Sequence, residues 1–295
     1  MTGAGRAAAP REPAELSAMC ALAERLWPSR WHAGELVWFR LVPGGEPPGH
    51  RTASWERDGR TVAWAWRRPP ARLDLQLDPG HPELAADVLR WFEEGTAGQP
   101  RRVTVLAGET ALIATLRARG YRECAGEPYF VHLSRGLADL PAAATPAGYR
   151  CRAVRGPADA GRRAALHAAA FPPRPGDEPI GPDTYRTLMR DHRYLADLDQ
   201  LVETEDGTPA AFCLAWLDQT NRAVALEPVG TAPAHRRRGL ASVAVLAALH
   251  RARELGATTA RVCARGDAAA PAARATYESL GFRPFARNLT FQYDG

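Results

Sequence analysis

Two stretches of this chain say the same thing twice. LRARGYRECAGEPYFVHL, Leu116 to Leu133, and YESLGFRPFARNLTFQY, Tyr277 to Tyr293, each read as the end of a helix, a Gly followed by an aromatic residue, and a strand. An internal repeat of this kind constrains the fold strongly, because one mixed α/β unit has to build a sheet and cover it twice. Between the copies, SRGLADLPAAATPAGYR, Ser134 to Arg150, is small, proline-containing and without hydrophobic period, as a connection would be. The 295 residues hold two domains of roughly 100–150 residues each. The expected division is a leader over 1–14, a first domain over 15–135, a linker over 136–148 and a second domain over 149–295.

Patterning and punctuation give the elements. In the first half they predict a helix from Pro13 to Leu26, strands at Glu35–Leu41, Thr61–Arg67 and Arg72–Leu77, and a helix at Glu83–Glu93. A strand at Arg102–Leu106, a helix at Thr110–Arg119 and a strand at Tyr129–His132 follow. In the second half they predict a strand at Tyr149–Ala153, a helix at Ala158–Ala169, the proline-rich loop FPPRPGDEPIGP and a helix at Pro182–Arg190. Strands at Gln200–Glu205, Ala210–Leu217 and Ala223–Thr231 come next, then a helix at Leu240–Leu255, a strand at Thr259–Ala264, a helix at Pro271–Leu280 and a last strand near Asn288–Tyr293. The alternation implies a mixed α/β (α+β) fold of two tandem domains, each a central, mixed, partly parallel sheet flanked by helices.

The charge balance of +5 could suggest nucleic acid, but every one of the 38 basic residues is Arg, spread along both halves and interleaved with acids. No basic face of the kind nucleic acid needs is gathered anywhere, so nucleic-acid binding is set aside. No apolar run reaches the roughly 20 residues of a membrane helix, and the opening MTGAGRAAAPREPAEL lacks an apolar signal core. The expectation is a cytoplasmic protein with a short disordered leader and no membrane contact. Cys20, Cys124, Cys151, Cys213 and Cys263 are scattered without a CxxC pair, which speaks against zinc and a disulfide scaffold and for reduced, mostly buried thiols.

The chemistry concentrates at HRRRGLAS, His235 to Ser242, between the strand AVALEPVGT and the apolar stretch VAVLAAL. A turn at a helix N-terminus points free backbone N–H groups and the positive helix end outward, where phosphate oxygens bind. Gly239 lets the backbone approach the anion, Ala241 and Ser242 leave room beside Leu240, and Arg236, Arg237 and Arg238 add charge. The segment matches neither GxxxxGK[ST] nor GxGxxG, so P-loop and Rossmann readings lose their specific support.

These residues resemble the GNAT superfamily of acyl-CoA-dependent N-acyltransferases. Its signature of Arg or Gln, two residues, Gly, one residue, Gly or Ala is matched by Arg236, Gly239 and Ala241, with Pro233 as the usual preceding proline. A second family element, Ala, Tyr four residues on and then Gly-Phe, is matched by Ala273, Tyr277, Gly281 and Phe282. The match covers about Tyr149 to Gly295. It departs from the family at Ala270, where an Asn that contacts the coenzyme arm is often found. The first half resembles a second copy in which Asp78-Pro79-Gly80-His81-Pro82 replaces the arginine–glycine turn, removing amides and placing Asp78 and Glu83 where phosphate would sit. The two-copy architecture is similar to that of the mycothiol synthases, though nothing here points to their substrate.

The resemblance implies acetyl-CoA as cosubstrate, no metal, and acetyl transfer to a primary amine of a small-molecule acceptor by direct attack in a ternary complex. Backbone groups at the splayed end of Ala223–Thr231, at Val229, Gly230 and Thr231, would hold the pantetheine arm and polarise the thioester. Tyr277 would be the general acid toward the thiolate, in preference to a core aromatic. Glu227 reads equally as the group that draws a proton from the amine and as a strand-edge carboxylate paired with an arginine. Phe171, Tyr185, Trp216 and Asp218 would line the acceptor pocket, by analogy with the family's variable acceptor region. His235 reads as an exposed turn residue, His167 as a packed helix residue, and Trp64 and Trp66 as core or interdomain packing. A homodimer is compatible with this reading. A non-catalytic acyl-CoA-binding or regulatory protein is the alternative.

Overall fold

The computed structural model describes residues 13–41, 50–126, 128–173 and 180–294. The first half runs α1 (Pro13–Arg25), α2 (Ala33–Leu41), β1 (Arg51–Arg57), β2 (Arg60–Arg68), β3 (Arg72–Leu77), α3 (Leu84–Glu94), β4 (Arg101–Leu106), α4 (Thr110–Ala118), β5 (Arg122–Glu123) and β6 (Phe130–Gly136). The second runs β7 (Tyr149–Ala153), α5 (Ala160–Ala170), α6 (Pro182–Leu188), β8 (Asp199–Thr204), β9 (Pro209–Asp218), β10 (Ala223–Thr231), α7 (Leu240–Glu254), β11 (Thr259–Arg265), α8 (Pro271–Ser279) and β12 (Arg283–Tyr293).

The repeat is visible in the topology. Each half has one parallel pair, β3 with β4 and β10 with β11, joined across helix α3 or α7. The sheets of the two halves are continuous, in the order β1-β2-β3-β4-β12-β6-β11-β10-β9-β8-β7, with β5 beside β12. The halves therefore exchange their last strands. β6, the end of the first half, pairs with β11, while β12, the end of the chain, pairs with β4 over Asn288–Tyr293 and with β6 over Arg283–Arg287. One apolar core lies under β3 and β4 against α3 and α4, and another under β10 and β11 against α7 and α8.

A third core welds the halves together. Trp31, Trp38, Trp64 and Trp66 of the first half pack with Tyr185, Leu214 and Trp216 of the second. Trp64 and Trp66 are buried in this core, and Trp66 also borders a cavity described below. The approach is close enough that a Cβ on Gly34 of α2 would lie 2.0 Å from the Trp216 Cβ. A buried ion pair crosses the same seam, with Arg261 Nη2 of β11 2.6 Å from Glu35 Oε2 of α2. Arg261 also donates to the carbonyls of Ser29 (2.7 Å) and Arg30 (2.6 Å), while its Nε is buried without a partner among the described residues.

Three elements differ from expectation, among them the two-residue strand β5, which the sequence pattern did not predict. Glu35–Leu41, expected as a strand, is the helix α2. The reason is local: the Glu35 carboxylate accepts from the His32 backbone N–H (2.9 Å), and His32 Nδ1 accepts from the Gly34 N–H (3.1 Å), which together cap the helix start. β1 was not anticipated; it forms a hairpin with β2 through Asp58-Gly59, both at positive φ, the two-residue turn that matches strand twist. The expected leader lies outside the described residues up to residue 12, and so does the proline-rich loop over 174–179.

Candidate active site

The site is built where β10 leaves β11. The parallel ladder pairs Ala223–Leu226 with Thr259–Val262 and ends there. On its other edge β10 bulges between Leu226 and Val229 before pairing Val229, Gly230 and Thr231 with Cys213, Phe212 and Ala211 of β9. A bulge re-aims the strand. Among the described residues the edge of Val229–Thr231 toward β11 has no ladder partner, and a wedge opens with Glu227 and Cys263 at its base. Trp216 braces the bulge from below, its Nε1 donating to the Glu227 carbonyl at 2.7 Å.

β10 leads through a 3-10 turn at Pro233–His235 into HRRRGLAS. Gly239 sits at φ +74°, the left-handed conformation that glycine adopts without penalty, and a Cβ there would meet nothing within 4 Å. The first bond of the following helix is donated by Val243 to the Gly239 carbonyl, at 3.2 Å. The amides of Arg238, Gly239, Leu240, Ala241 and Ser242 thus face outward at the positive end of a 15-residue helix without a partner among the described residues. Unpaired amides at a helix start can take an anion, and the space beside Gly239 is open.

The arginines divide the work. Arg236 is turned back onto the protein, with Nε donating to the Thr231 carbonyl (3.2 Å) and Nη2 to the Ala170 carbonyl (3.3 Å), so it fixes the turn instead of standing free for phosphate. Arg238 reaches the Tyr149 hydroxyl (2.9 Å), which also meets His235 Nδ1 at 3.0 Å. Arg237 is exposed, with φ +63°. The equivalent turn in the first half is filled by its own acid: Asp78 Oδ1 accepts from the Gly80 N–H at 2.9 Å, and Arg25 lies 3.4 Å from its other oxygen.

Tyr277, on α8, is 6% exposed and packs edge-on to Phe282. Burial pushes its phenol well above the ordinary range, with smaller contributions from Cys213, Glu227 and Cys263, so the ring keeps its proton. Its hydroxyl has no hydrogen-bond partner among the described residues. Glu227 lies on β10 at the base of the wedge; burial, with Glu35 adding a like charge, raises its carboxyl to about 8. Such a carboxyl is poised to exchange a proton near neutrality.

Above Glu227 a cavity of about 320 Å³ runs over the exchanged strands toward the first half. Cys263 and His132 are in its wall. His132 Nε2 meets Asn288 Oδ1 at 2.8 Å and its Nδ1 lies 3.2 Å from Cys263 Sγ, so Nε2 carries the proton and Nδ1 accepts from the thiol. Burial, helped by Arg261, lowers His132 to about 3, while burial pushes the Cys263 thiol far up. Both partners are neutral, which leaves a hydrogen-bonded pair and no thiolate nucleophile.

The four residues expected to line an acceptor pocket do not border this cavity. Tyr185 is fully buried and hydrogen-bonded to His167 Nδ1 (3.1 Å). Trp216 is the brace under the bulge, and Asp218 accepts from the Asn221 backbone (3.0 Å) and side chain (2.6 Å) at the β9–β10 turn. Phe171 is exposed at the end of α5, its ring 5.1 Å from His167. None of the four lines the cavity. Its walls come largely from the first half, through Arg30, Trp31, Glu35 and strands β2 to β4. A signal for this existed in RLDLQL: the alternation puts Leu73 and Leu75 on the helix-covered core, yet Asp74 and Gln76 on the opposite face are equally buried, at 2% exposure each. A buried polar face on a strand marks something more than solvent.

Residues 164–282 match the family model described as the acetyltransferase (GNAT) family. The likeness to that family is carried by the C-terminal half. GNAT domains serve acyl-CoA-dependent acetyl transfer, and the open turn and the strand wedge both lie within the matched residues. No protein with a curated description matches the chain in sequence. Among solved structures, a GCN5-related N-acetyltransferase from Sphaerobacter thermophilus is similar over 95% of this chain and 90% of its own, with 19% identity and a TM-score of 0.63. A tandem GNAT protein from the clavulanic acid biosynthesis pathway aligns over 97% and 96%, with 16% identity and a TM-score of 0.62. A GNAT-family acetyltransferase from Colwellia psychrerythraea aligns over 95% and 97%, with 14% identity and a TM-score of 0.61. At these identities the likeness is one of fold, and it extends the GNAT architecture across both halves. Among the described residues no group of His, Cys, Asp and Glu could hold a metal ion, and no helix is long and apolar enough to cross a membrane.

Proposed function

We propose that the protein transfers an acetyl group from acetyl-CoA to a primary amine by direct attack, with the coenzyme held in the C-terminal half. The observation that carries this reading is the pairing of the open Gly239 turn with the wedge between β10 and β11, because together they give one groove for a pyrophosphate and its pantetheine arm. Amides from Arg238 to Ser242 take the pyrophosphate, and the free edge of Val229–Thr231 takes the amides of the arm. Arg237 adds charge at the rim, while Arg236 and Arg238 keep the turn in shape. The thioester then lies at the base of the wedge, beside Glu227.

The chemistry follows from charge. An ammonium cannot attack, so Glu227, ionised as the pH passes about 8, accepts a proton from the amine. The amine nitrogen adds to the thioester carbonyl, the carbon–sulfur bond breaks, and the departing thiolate takes a proton from Tyr277. A neutral Cys263 offers no intermediate acyl acceptor, which favours direct transfer over double displacement. The acceptor enters through the cavity above Glu227 and so touches both halves. The test is release of coenzyme A thiol from acetyl-CoA across an amine panel. Amine-dependent release that Glu227→Gln suppresses is expected, and tight acetyl-CoA binding without turnover of any amine would overturn the enzymatic reading.

A further inference from the structure

Strands β4 and β12 lie side by side in the middle of the continuous sheet, with Thr104 directly opposite Thr290 in register. Val103, Val105 and Phe291 point into the helix-covered core, so alternation turns Thr104, Thr290 and Asn288 to the other face, where all three line the cavity. Each is half-buried. Asn288 uses its Oδ1 on His132, while its amide N–H groups and the two threonine hydroxyls have no partner among the described residues. The charged groups around them are already engaged: Asp74 with Arg30 and Arg68, Glu35 with Arg261, and Arg102 likewise has a partner. Arg72 is exposed to solvent. Beyond Glu227, the hydrogen-bonding capacity left over on the floor of the cavity is therefore neutral, and a half-buried donor or acceptor left unmatched costs free energy.

The floor also has an order. Leu226 of β10 pairs with Val262, which sets Glu227 next to Cys263 at the base of the wedge; Cys263 meets His132 at 3.2 Å, and His132 meets Asn288 at 2.8 Å. From Glu227 the first free neutral group is therefore Asn288, and Thr290 and Thr104 lie beyond it. Resting on the reading of an amine acceptor at Glu227, we propose that the acceptor is a polyhydroxylated amine, an amino sugar of one or two rings, with its amine at Glu227 and its hydroxyls on Asn288, Thr290 and Thr104. A hydroxyl both donates and accepts, so it matches threonine and asparagine alike. The half-buried ring of Phe39 in the wall suits the C–H face of such a sugar. At about 320 Å³ the cavity is near the lower end of small-molecule sites, roughly 300–1,000 Å³, so a compact ligand fills it. A peptide added as a strand needs a free sheet edge, and β4, β12, β6 and β11 are all paired on both sides. An alkylamine or arylalkylamine would leave the three neutral groups unmatched.

Steady-state kinetics with saturating acetyl-CoA test this, with kcat/KM expressed per neutral amine. The acceptors are glucosamine, the disaccharide of two glucosamine units, cyclohexylamine and tetra-alanine amide. The better of the two sugars is favoured over cyclohexylamine and the peptide by about tenfold or more, chiefly through KM, and its identity separates one ring from two. The double substitution Thr104→Val with Thr290→Val keeps β-branched side chains on the strands and removes both hydroxyls. It loses about tenfold or more on the preferred sugar and leaves cyclohexylamine within about threefold, while Thr290→Ser stays near the parent. Thermal melting confirms folding, and Thr290→Val alone is read in the same way should the double variant not fold. Preference for cyclohexylamine or the peptide, or a sugar preference that the valines leave intact, overturns the inference while leaving amine acetylation in place. Failure of every amine to release coenzyme A, with acetyl-CoA still bound, removes the amine reading and the inference with it.

Discussion

Gly239→Asp separates the coenzyme cradle from the fold that carries it. A Cβ at this position meets nothing within 4 Å, so the substitution crowds no neighbour. It does pay for φ +74°, about 1–2 kcal/mol for a residue with a side chain, and Asp is among those that bear it best. In the free protein a carboxylate at the start of α7 also meets the favourable end of the helix dipole, which returns about 0.3–1 kcal/mol. The net change in stability is therefore small. Coenzyme binding is another matter, because the new charge lies where a pyrophosphate would rest on the amides of Arg238 to Ser242. At about 5 Å and an effective dielectric near 20, each unit of like charge costs about 3 kcal/mol, or roughly a 150-fold loss in affinity. Gly239→Ala pays the backbone term alone. The expected calorimetry is one acetyl-CoA site per chain in the parent, at most about a tenfold loss for Ala, and loss of measurable binding for Asp that added salt partly relieves. Equal binding by the Ala and Asp variants would refute the reasoning, and so would two equal sites per chain.

Other substitutions probe the chemistry and the seam. Tyr277→Phe keeps the ring packed against Phe282 and removes only the proton donor, so acetyl-CoA affinity should hold while turnover falls by roughly 10²–10⁴-fold, less at low pH where solvent protonates the thiolate. Unchanged turnover would make Tyr277 a core aromatic. With an amine of low pKa as acceptor, kcat/KM should rise with pH through about 8 in the parent and lose that limb in Glu227→Gln. The same raised carboxyl means that the folded protein holds a proton the unfolded chain has released between about pH 4.5 and 8, so stability falls with rising pH across that window. Chemical denaturation should show the slope flattened in Glu227→Gln. Gly34→Ala sets a Cβ 2.0 Å from the Trp216 Cβ, which cannot swing away, and should destabilise the protein by about 3 kcal/mol, the upper end of overpacking costs. An unshifted denaturation midpoint would mean that α2 and β9 do not meet as described.

Much of this was legible in the residues, and the exceptions have physical causes. The repeat announced two copies of one unit, and the parallel pairs β3–β4 and β10–β11 with their crossover helices are those copies. HRRRGLAS announced the turn because its information is local: a glycine at positive φ and a helix start. The Asp58-Gly59 hairpin carries an equally local signal, whereas α2 is hidden because a short apolar run, LVWFRL, has no distinctive period and the deciding contact is the His32–Glu35 cap. Strand exchange was beyond the reach of local pattern. β6 and β12 have near-identical patterns, and which sheet each joins depends on pairings such as Arg261 with Ser134, far apart in sequence. The cavity itself was hidden for the same reason: Glu227 belongs to one half, and the walls above it belong largely to the other.

In the proposed mechanism the coenzyme lies in the second half, with its thioester opening onto a cavity built by both. A crystal structure with bound acetyl-CoA tests it most directly. Pyrophosphate oxygens are expected on the amides of Arg238 to Ser242, the pantetheine arm along Val229–Thr231, and the acetyl carbonyl between Glu227 and Cys263, facing the cavity. A coenzyme seated at the Asp78–Glu83 turn of the first half, or one whose acetyl group points away from Glu227 toward α5 and α6, would contradict it.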